Sequence, residues 1–249
     1  MDNIILNIPH SSVVIPKEDI PQDGDIKTYN EELLYMTDWY TDTLFQNSIG
    51  TPIIAPVSRL ICDTERFRSD DEESMARIGM GAIYCSTHSL KKLCTLSDAH
   101  RETILSKYYD PHHRMLEECT SRALSEYGFA TIIDCHSFSP YPLPYEPNQE
   151  LDRPEICIGT DAFHTPKELE ELAVSFFKIL GYKTEINKPY AGTIVPMKYY
   201  QKDKRVLSIM IEINRGLYLK KDSNEKNDHF EKLKKEIEAL ESLIAKMKI

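Results

Sequence analysis

Residues 131–137, Thr131-Ile-Ile-Asp-Cys-His-Ser137, form a short apolar run that stops abruptly at acid, thiol, imidazole and hydroxyl groups. Gly128 stands just ahead of it, and the proline-rich Phe138-Ser-Pro-Tyr-Pro-Leu-Pro144 follows. A β-branched segment bounded by Gly and Pro predicts a buried strand. His136 then lies at its C-terminal end, where open α/β sheets place their ligands and chemistry. The N-terminus repeats the arrangement in Ile4-Ile-Leu-Asn-Ile-Pro-His10-Ser11-Ser12, and Val206-Leu-Ser-Ile-Met-Ile-Glu212-Ile-Asn-Arg215 carries a carboxylate through a third apolar run. Two imidazoles and a carboxylate delivered by strands point to an α/β fold and a metal-dependent hydrolase.

Length sets the frame for those strands. A chain of 249 residues is expected to form one large domain, residues 1–249, with room for an elaborated loop. Its net charge of −10, with no basic stripe to offset the acid, argues against nucleic acid as a partner. No stretch approaches the ~20 apolar residues of a membrane span. The opening Met-Asp-Asn-Ile has no basic region or signal-type apolar core, so the chain is expected not to be exported. The six cysteines form no CxxC pair, and Cys62, Cys135 and Cys157 lie in strand-like text; reduced core thiols and a cytoplasmic location are expected.

Between the strands, helical spacing of Leu33, Met36, Tyr40 and Leu44 predicts one helix over residues 31–45, with Asp38 and Asp42 on one face. Residues 51–62 read as a strand with Pro punctuation. Residues 69–100 read as an irregular excursion over the site, and 100–127 as a long helix with a candidate break at Pro111. Residues 138–153 hold four prolines and predict an extended loop beside His136. Short strands over 154–161 and 182–187 flank a helix that Thr165-Pro166 opens and Gly181 ends. A final amphipathic helix carries Phe230, Leu233, Ile237, Leu240, Ile244 and Met247 on one face.

His10 and His136, in matched contexts, are the candidate imidazoles of a shared site. Zinc accepts two imidazoles and one carboxylate and keeps a fourth position open for water. Spacing leaves the carboxylate open among Asp38, Glu32 and Asp42. Glu212, flanked by Ile211 and Ile213, is costly to bury unless it is paired or functional; it is either a working group or the salt-bridge partner of Arg215. Arg66 and Arg215 close two strands, and their guanidinium forks suit two-point contact with a substrate carboxylate.

Taken in order, Asn7-Ile-Pro-His-Ser-Ser12, Thr37-Asp-Trp39, Asp63-Thr-Glu-Arg66, Asp134-Cys-His-Ser137, Arg153-Pro-Glu-Ile-Cys-Ile-Gly-Thr-Asp161, Asn187-Lys-Pro-Tyr-Ala-Gly192 and Glu212-Ile-Asn-Arg215 resemble the N-formylglutamate amidohydrolases. That family is similar in fold to the zinc carboxypeptidases. The resemblance implies a mixed central sheet between helical layers, the phosphorylase/hydrolase-like architecture. It implies one divalent metal, Zn2+, held by His10, Asp38 and His136, with Glu212 as general base and Arg66 binding substrate. It also implies a small N-formyl amino acid as substrate; Arg215 is then expected to hold a substrate carboxylate with Arg66, and Ser11, Ser137 and Tyr190 to form polar walls of the pocket. Three positions depart from the family pattern: Ser12, Glu65 and Thr193. A related deacylating hydrolase on a larger substrate, or a non-catalytic binding member, remains compatible with the same motifs.

Overall fold

A computed structural model describes residues 3–45 and 49–247. Its centre is a six-stranded sheet, built from β1 (Ile4–Ile8), β2 (Thr51–Ile54), β3 (Ala130–Phe138), β4 (Ile156–Gly159), β5 (Thr184–Ile186) and β6 (Val206–Asn214). The spatial order is β2-β1-β3-β6-β4-β5. The first four strands in that order run parallel, whereas β4 is antiparallel to β6 and β5 is parallel to β4. The sheet is therefore mixed, as the resemblance implied. Pro52 sits in β2, an edge strand, where a missing amide donor is tolerated. That strand is only four residues long, shorter than the apolar text of 51–62, because Pro56 and the turns after it end the ladder.

Strand alternation sorts the core into two layers. Ile4, Leu6 and Ile8 of β1, with Ile133 and Cys135 of β3 and Leu207, Ile209, Ile211 and Ile213 of β6, share one cluster. Against them pack Leu169, Ala173 and Phe177 of α5 (Lys167–Ile179) and Phe230, Leu233, Ile237, Leu240 and Ile244 of α6 (Phe230–Ile244). The other face carries Ile5, Ala130, Ile132 and Val206, covered by Leu116, Cys119 and Ala123 of α4 (Asp110–Tyr127). Each fully buried aliphatic side chain contributes about 1.5–3 kcal/mol relative to exposure, so both layers are substantial.

Three expectations are corrected. The predicted helix over 31–45 is two helices, α1 (Ile26–Met36) and α2 (Thr41–Leu44), because the backbone turns extended at Thr37 and left-handed at Tyr40. Asp38 lies in the turn between them, so it shares no helix face with Asp42. The long helical stretch does not break at Pro111. It runs from α3 (Asp98–Ile104) through a π-turn at Leu105–Tyr109 into α4, and Pro111 falls just after the π-turn. The 165–181 helix starts one residue later than read, with Pro166 as its cap.

The excursion over 69–100 is irregular apart from a 3-10 turn at Ser74–Ile78 and the start of α3 at Asp98, yet it has its own core. Met80, Ala82 and Tyr84 are fully buried against Tyr29, Leu60, Cys62, Ile104 and Leu105. All six cysteines are free thiols, five of them buried. Among the described residues, no helix is long and apolar enough to cross a membrane.

Candidate active site

The C-terminal ends of β1, β3 and β6 meet on the face covered by α4. On β3, Asp134 and His136 follow Ile132 on that face. In the register of the β3–β6 pair His136 lies directly opposite Glu212. Ile211 and Ile213, which flank Glu212 in sequence, point into the other layer. Period-two alternation thus explains how a carboxylate sits inside an apolar run without entering the apolar core.

His10 follows β1 and is buried with His136, their ring centroids 5.0 Å apart. Asp38 reaches both from the α1–α2 turn. Its backbone N–H donates to the His10 carbonyl (3.0 Å), and its own carbonyl accepts from the N–H and hydroxyl of Thr41. Arg215 secures the start of that turn by donating from one nitrogen to the carbonyls of Tyr35 and Thr37, both 2.9 Å away. These include carbonyls that the end of α1 leaves without a helical partner.

The two imidazoles are oriented by carboxylates. His10 Nε2 lies 2.8 Å from Asp63 Oδ1, and His136 Nε2 lies 3.0 Å from Asp134 Oδ1. Ionised carboxylates only accept, so each Nε2 carries a proton and Nδ1 is the ring nitrogen left to face the site. Both Nδ1 atoms face Asp38 Oδ2, at 3.5 Å from His10 and 3.2 Å from His136. Two ring nitrogens and a carboxylate oxygen converging in a buried space need positive charge among them, a proton on a ring or a cation. Among the described residues His10 Nδ1 has no hydrogen-bond partner. The donor set, with its outer carboxylates, fits a divalent metal.

Charges follow the same geometry. Burial pushes the Asp38 carboxyl up, but the neighbouring His10 and His136 outweigh it and hold the group well below the ordinary carboxylate range. Burial opposes a charged His136, yet Asp134 and Asp38 raise it well above the ordinary imidazole value. Glu212 is raised to about 7, mainly by burial; the neighbouring His136 opposes that rise, and Asp38 and Asp134 add to it. One of its oxygens, Oε2, is buried with no hydrogen-bond partner among the described residues.

These groups line a cavity of about 430 Å³, within the range of small-molecule sites. Its wall brings together His10, Asp38, His136, Glu212, Arg66, Arg215, Ser137 and Tyr190, but not Ser11. Ser137 also donates its backbone N–H to Asp38 Oδ2 (3.2 Å). The remaining candidate carboxylates lie elsewhere. Glu32 accepts from the backbone and ring of His88 at 2.7 and 2.9 Å, and Asp42 is absent from the lining. Glu212 is not the ion-pair partner of Arg215, whose contacts are to carbonyls.

Sequence reasoning missed Arg59, Tyr145, Asp63 and Asp134. Arg59 lines the cavity and donates to Asp63 Oδ2 at 2.8 and 3.2 Å, and Tyr84 donates to the same oxygen at 2.6 Å. For Asp134 a signal existed: Asp-x-His on a strand puts both side chains on one face. Arg59 and Asp63 are joined by a turn in what reads as strand text, so their pairing carries no periodic signature. The three departures from the family pattern make ordinary contacts or line the cavity. Ser12 Oγ donates to the Pro56 carbonyl, Thr193 Oγ1 lies 2.7 Å from Ser208 Oγ, and Glu65 lines the cavity beside Asn7. Gly159 is required by close approach, since a Cβ there would stand 2.3 Å from the Gly192 carbonyl in the loop that carries Tyr190.

A mixed α/β sheet carries two carboxylate-oriented imidazoles, an aspartate and a buried glutamate at its strand ends, the residue set of a candidate metal-dependent enzyme. A family model described as N-formylglutamate amidohydrolase matches residues 2–219. The chain belongs to the N-formylglutamate amidohydrolase family. It is 23% identical over 226 residues to an N-formylglutamate deformylase of Pseudomonas putida, covering 87% of this chain and 81% of that protein. It is 26% identical over 192 residues to one of Pseudomonas aeruginosa, covering 74% and 71% respectively. In fold it is similar to the crystal structure of N-formylglutamate amidohydrolase from Ralstonia eutropha JMP134, with a TM-score of 0.83 at 22% identity, over 98% of this chain and 92% of that one.

Proposed function

We propose that residues 1–249 form one amidohydrolase domain that cleaves N-formylglutamate, or a close N-formyl amino acid, to formate and the free amino acid. The observation that carries the reading is Glu212, a carboxylate on the site face with a free buried oxygen and a pKa near neutrality, directly opposite His136. The names of the curated relatives support the substrate. His10, Asp38 and His136 would hold one Zn2+. When bound, the metal supplies the Lewis acidity that polarises the formyl oxygen and acidifies a water.

Glu212 takes the proton of the attacking water and passes it to the leaving amine, a role suited to a group poised near the working pH. Arg66 and Arg215, lining the cavity with Arg59, hold the carboxylates of the amino acid and align the amide with the water. Tyr190 and Ser137 complete the polar wall. The free cysteines favour a reducing compartment, and the cytoplasm is the location this reading assigns.

The test is formate release from N-formyl-L-glutamate by Zn2+-loaded protein, with N-acetylglutamate and a C-terminal glutamate dipeptide as comparators. Preference for the formyl substrate is expected. Turnover of the dipeptide alone would replace this reading with a peptidase.

A further inference from the structure

Asn7 and His112 have no part in the roles above, yet both are buried beside them. Asn7 follows Ile5 on the α4 face of β1, and His112 descends onto it from the first turn of α4, just after the π-turn. Asn7 Oδ1 lies 2.9 Å from His112 Nε2. Asn7 Nδ2 donates to Asp134 Oδ1 at 2.9 Å and to Glu65 Oε1 at 2.5 Å. Only one amide orientation serves these partners: a flipped amide would point its oxygen at two carboxyl groups and its NH2 at the imidazole. His112 therefore donates its Nε2–H and fixes the flip.

Asp134 has no slack left. Its Oδ1 receives Asn7 and His136, and its Oδ2 accepts the backbone N–H of Ile194 at 3.1 Å. Glu65, Asp134 and His136 form a second group of metal-type donors. The Asn7 NH2, however, already donates to both carboxyl groups of that set. Without those N–H donors, two carboxyl groups would face each other in a buried, low-dielectric space.

We propose that Asn7 is a positioning residue for the metal centre: its amide, fixed by His112, holds Asp134 in the one pose that accepts His136 Nε2–H, and so aims His136 Nδ1 at the cation. The chain runs His112 on α4, Asn7 on β1, Asp134 and His136 on β3. It ties the covering helix to the imidazole through three side-chain hydrogen bonds. The proposal rests on the reading of His10, Asp38 and His136 as metal holders.

The experiment is a double-mutant cycle on Zn2+ affinity, measured by chelator competition on the metal-stripped protein. It compares wild type, Asn7→Ala, Asp134→Ala and the double variant. Loss of an outer partner of a metal-binding imidazole costs ~10–100-fold in affinity. Asn7→Ala is expected to weaken Zn2+ binding within that range, and the double variant to bind no worse than Asp134→Ala alone. The visible spectrum of Co2+-substituted Asn7→Ala should move the same way as that of Asp134→Ala, which mere loss of packing would not produce. Should Asn7→Ala fail to fold, His112→Phe enters the same cycle with the same expected non-additivity. Unchanged affinity in the single variant, or additive losses in the double, overturns the positioning role while leaving the metal site intact. A wild-type protein that binds no Zn2+ overturns the metal site and this role together.

Discussion

The side chain on which the proposed chemistry turns is Glu212. Glu212→Gln keeps its shape but cannot accept a proton. Turnover of N-formylglutamate should fall by roughly 10²–10⁴-fold, with Zn2+ content by elemental analysis unchanged. Near-wild-type turnover would remove Glu212 from the mechanism. His112 supplies a second residue-level prediction. Burial, reinforced by His113 and His10, lowers it from 6.5 to about 3. The unfolded chain takes up this proton below 6.5 and the folded protein does not until about 3, so stability is lost as pH falls through that window. Between roughly pH 7.5 and roughly pH 5.5 the loss is about 1.4 kcal/mol, and urea denaturation of His112→Gln should show a dependence flatter by that amount. At this scale the sequence revealed what strand ends expose. His10, His136 and Glu212 stand out because a polar group interrupts apolar text. Asp63, Asn7 and Arg59 do not, since their roles depend on which ring nitrogen or guanidinium edge faces them, and that is set across the fold.

Among the elements, β1, β3 and β6 were legible because burial on both faces leaves long apolar runs. The antiparallel setting of β4 against β6 has no local signature; direction is fixed by the route of the connecting chain. The α1–α2 break shows the limit of periodicity. Leu33, Met36, Tyr40 and Leu44 keep helical spacing across a turn that is not helical, because tertiary contacts to His10 and Arg215 override local propensity there. That break gives the two acids different fates. Asp38→Ala should lower Zn2+ retention through dialysis at least tenfold, whereas Asp42→Ala should bind like wild type. Equal losses in both would return the carboxylate to a continuous helix face.

For the molecule as a whole, the metal should act as a staple between β1, the α1–α2 turn and β3. A ligand bound only by the folded state at a thousand times its Kd stabilises by about 4 kcal/mol. For a chain of this size that corresponds to a rise of roughly 8–16 °C in Tm, at ~2–4 °C per kcal/mol. Calorimetry of stripped and Zn2+-loaded protein should show it, and equal Tm values at saturating Zn2+ would argue against a site spanning those elements. The division of the sheet into an α5/α6 face and an α4 face carries a consequence for how the gene tolerates change. Along β6, substitutions at Leu207, Ile209 and Ile211 should reduce how much protein accumulates in cells while leaving each surviving molecule fully active. Substitutions at Glu212 should do the opposite. A saturation scan that records abundance and turnover separately would then resolve this strand into two interleaved messages, one read by the cell's quality control and the other by the substrate.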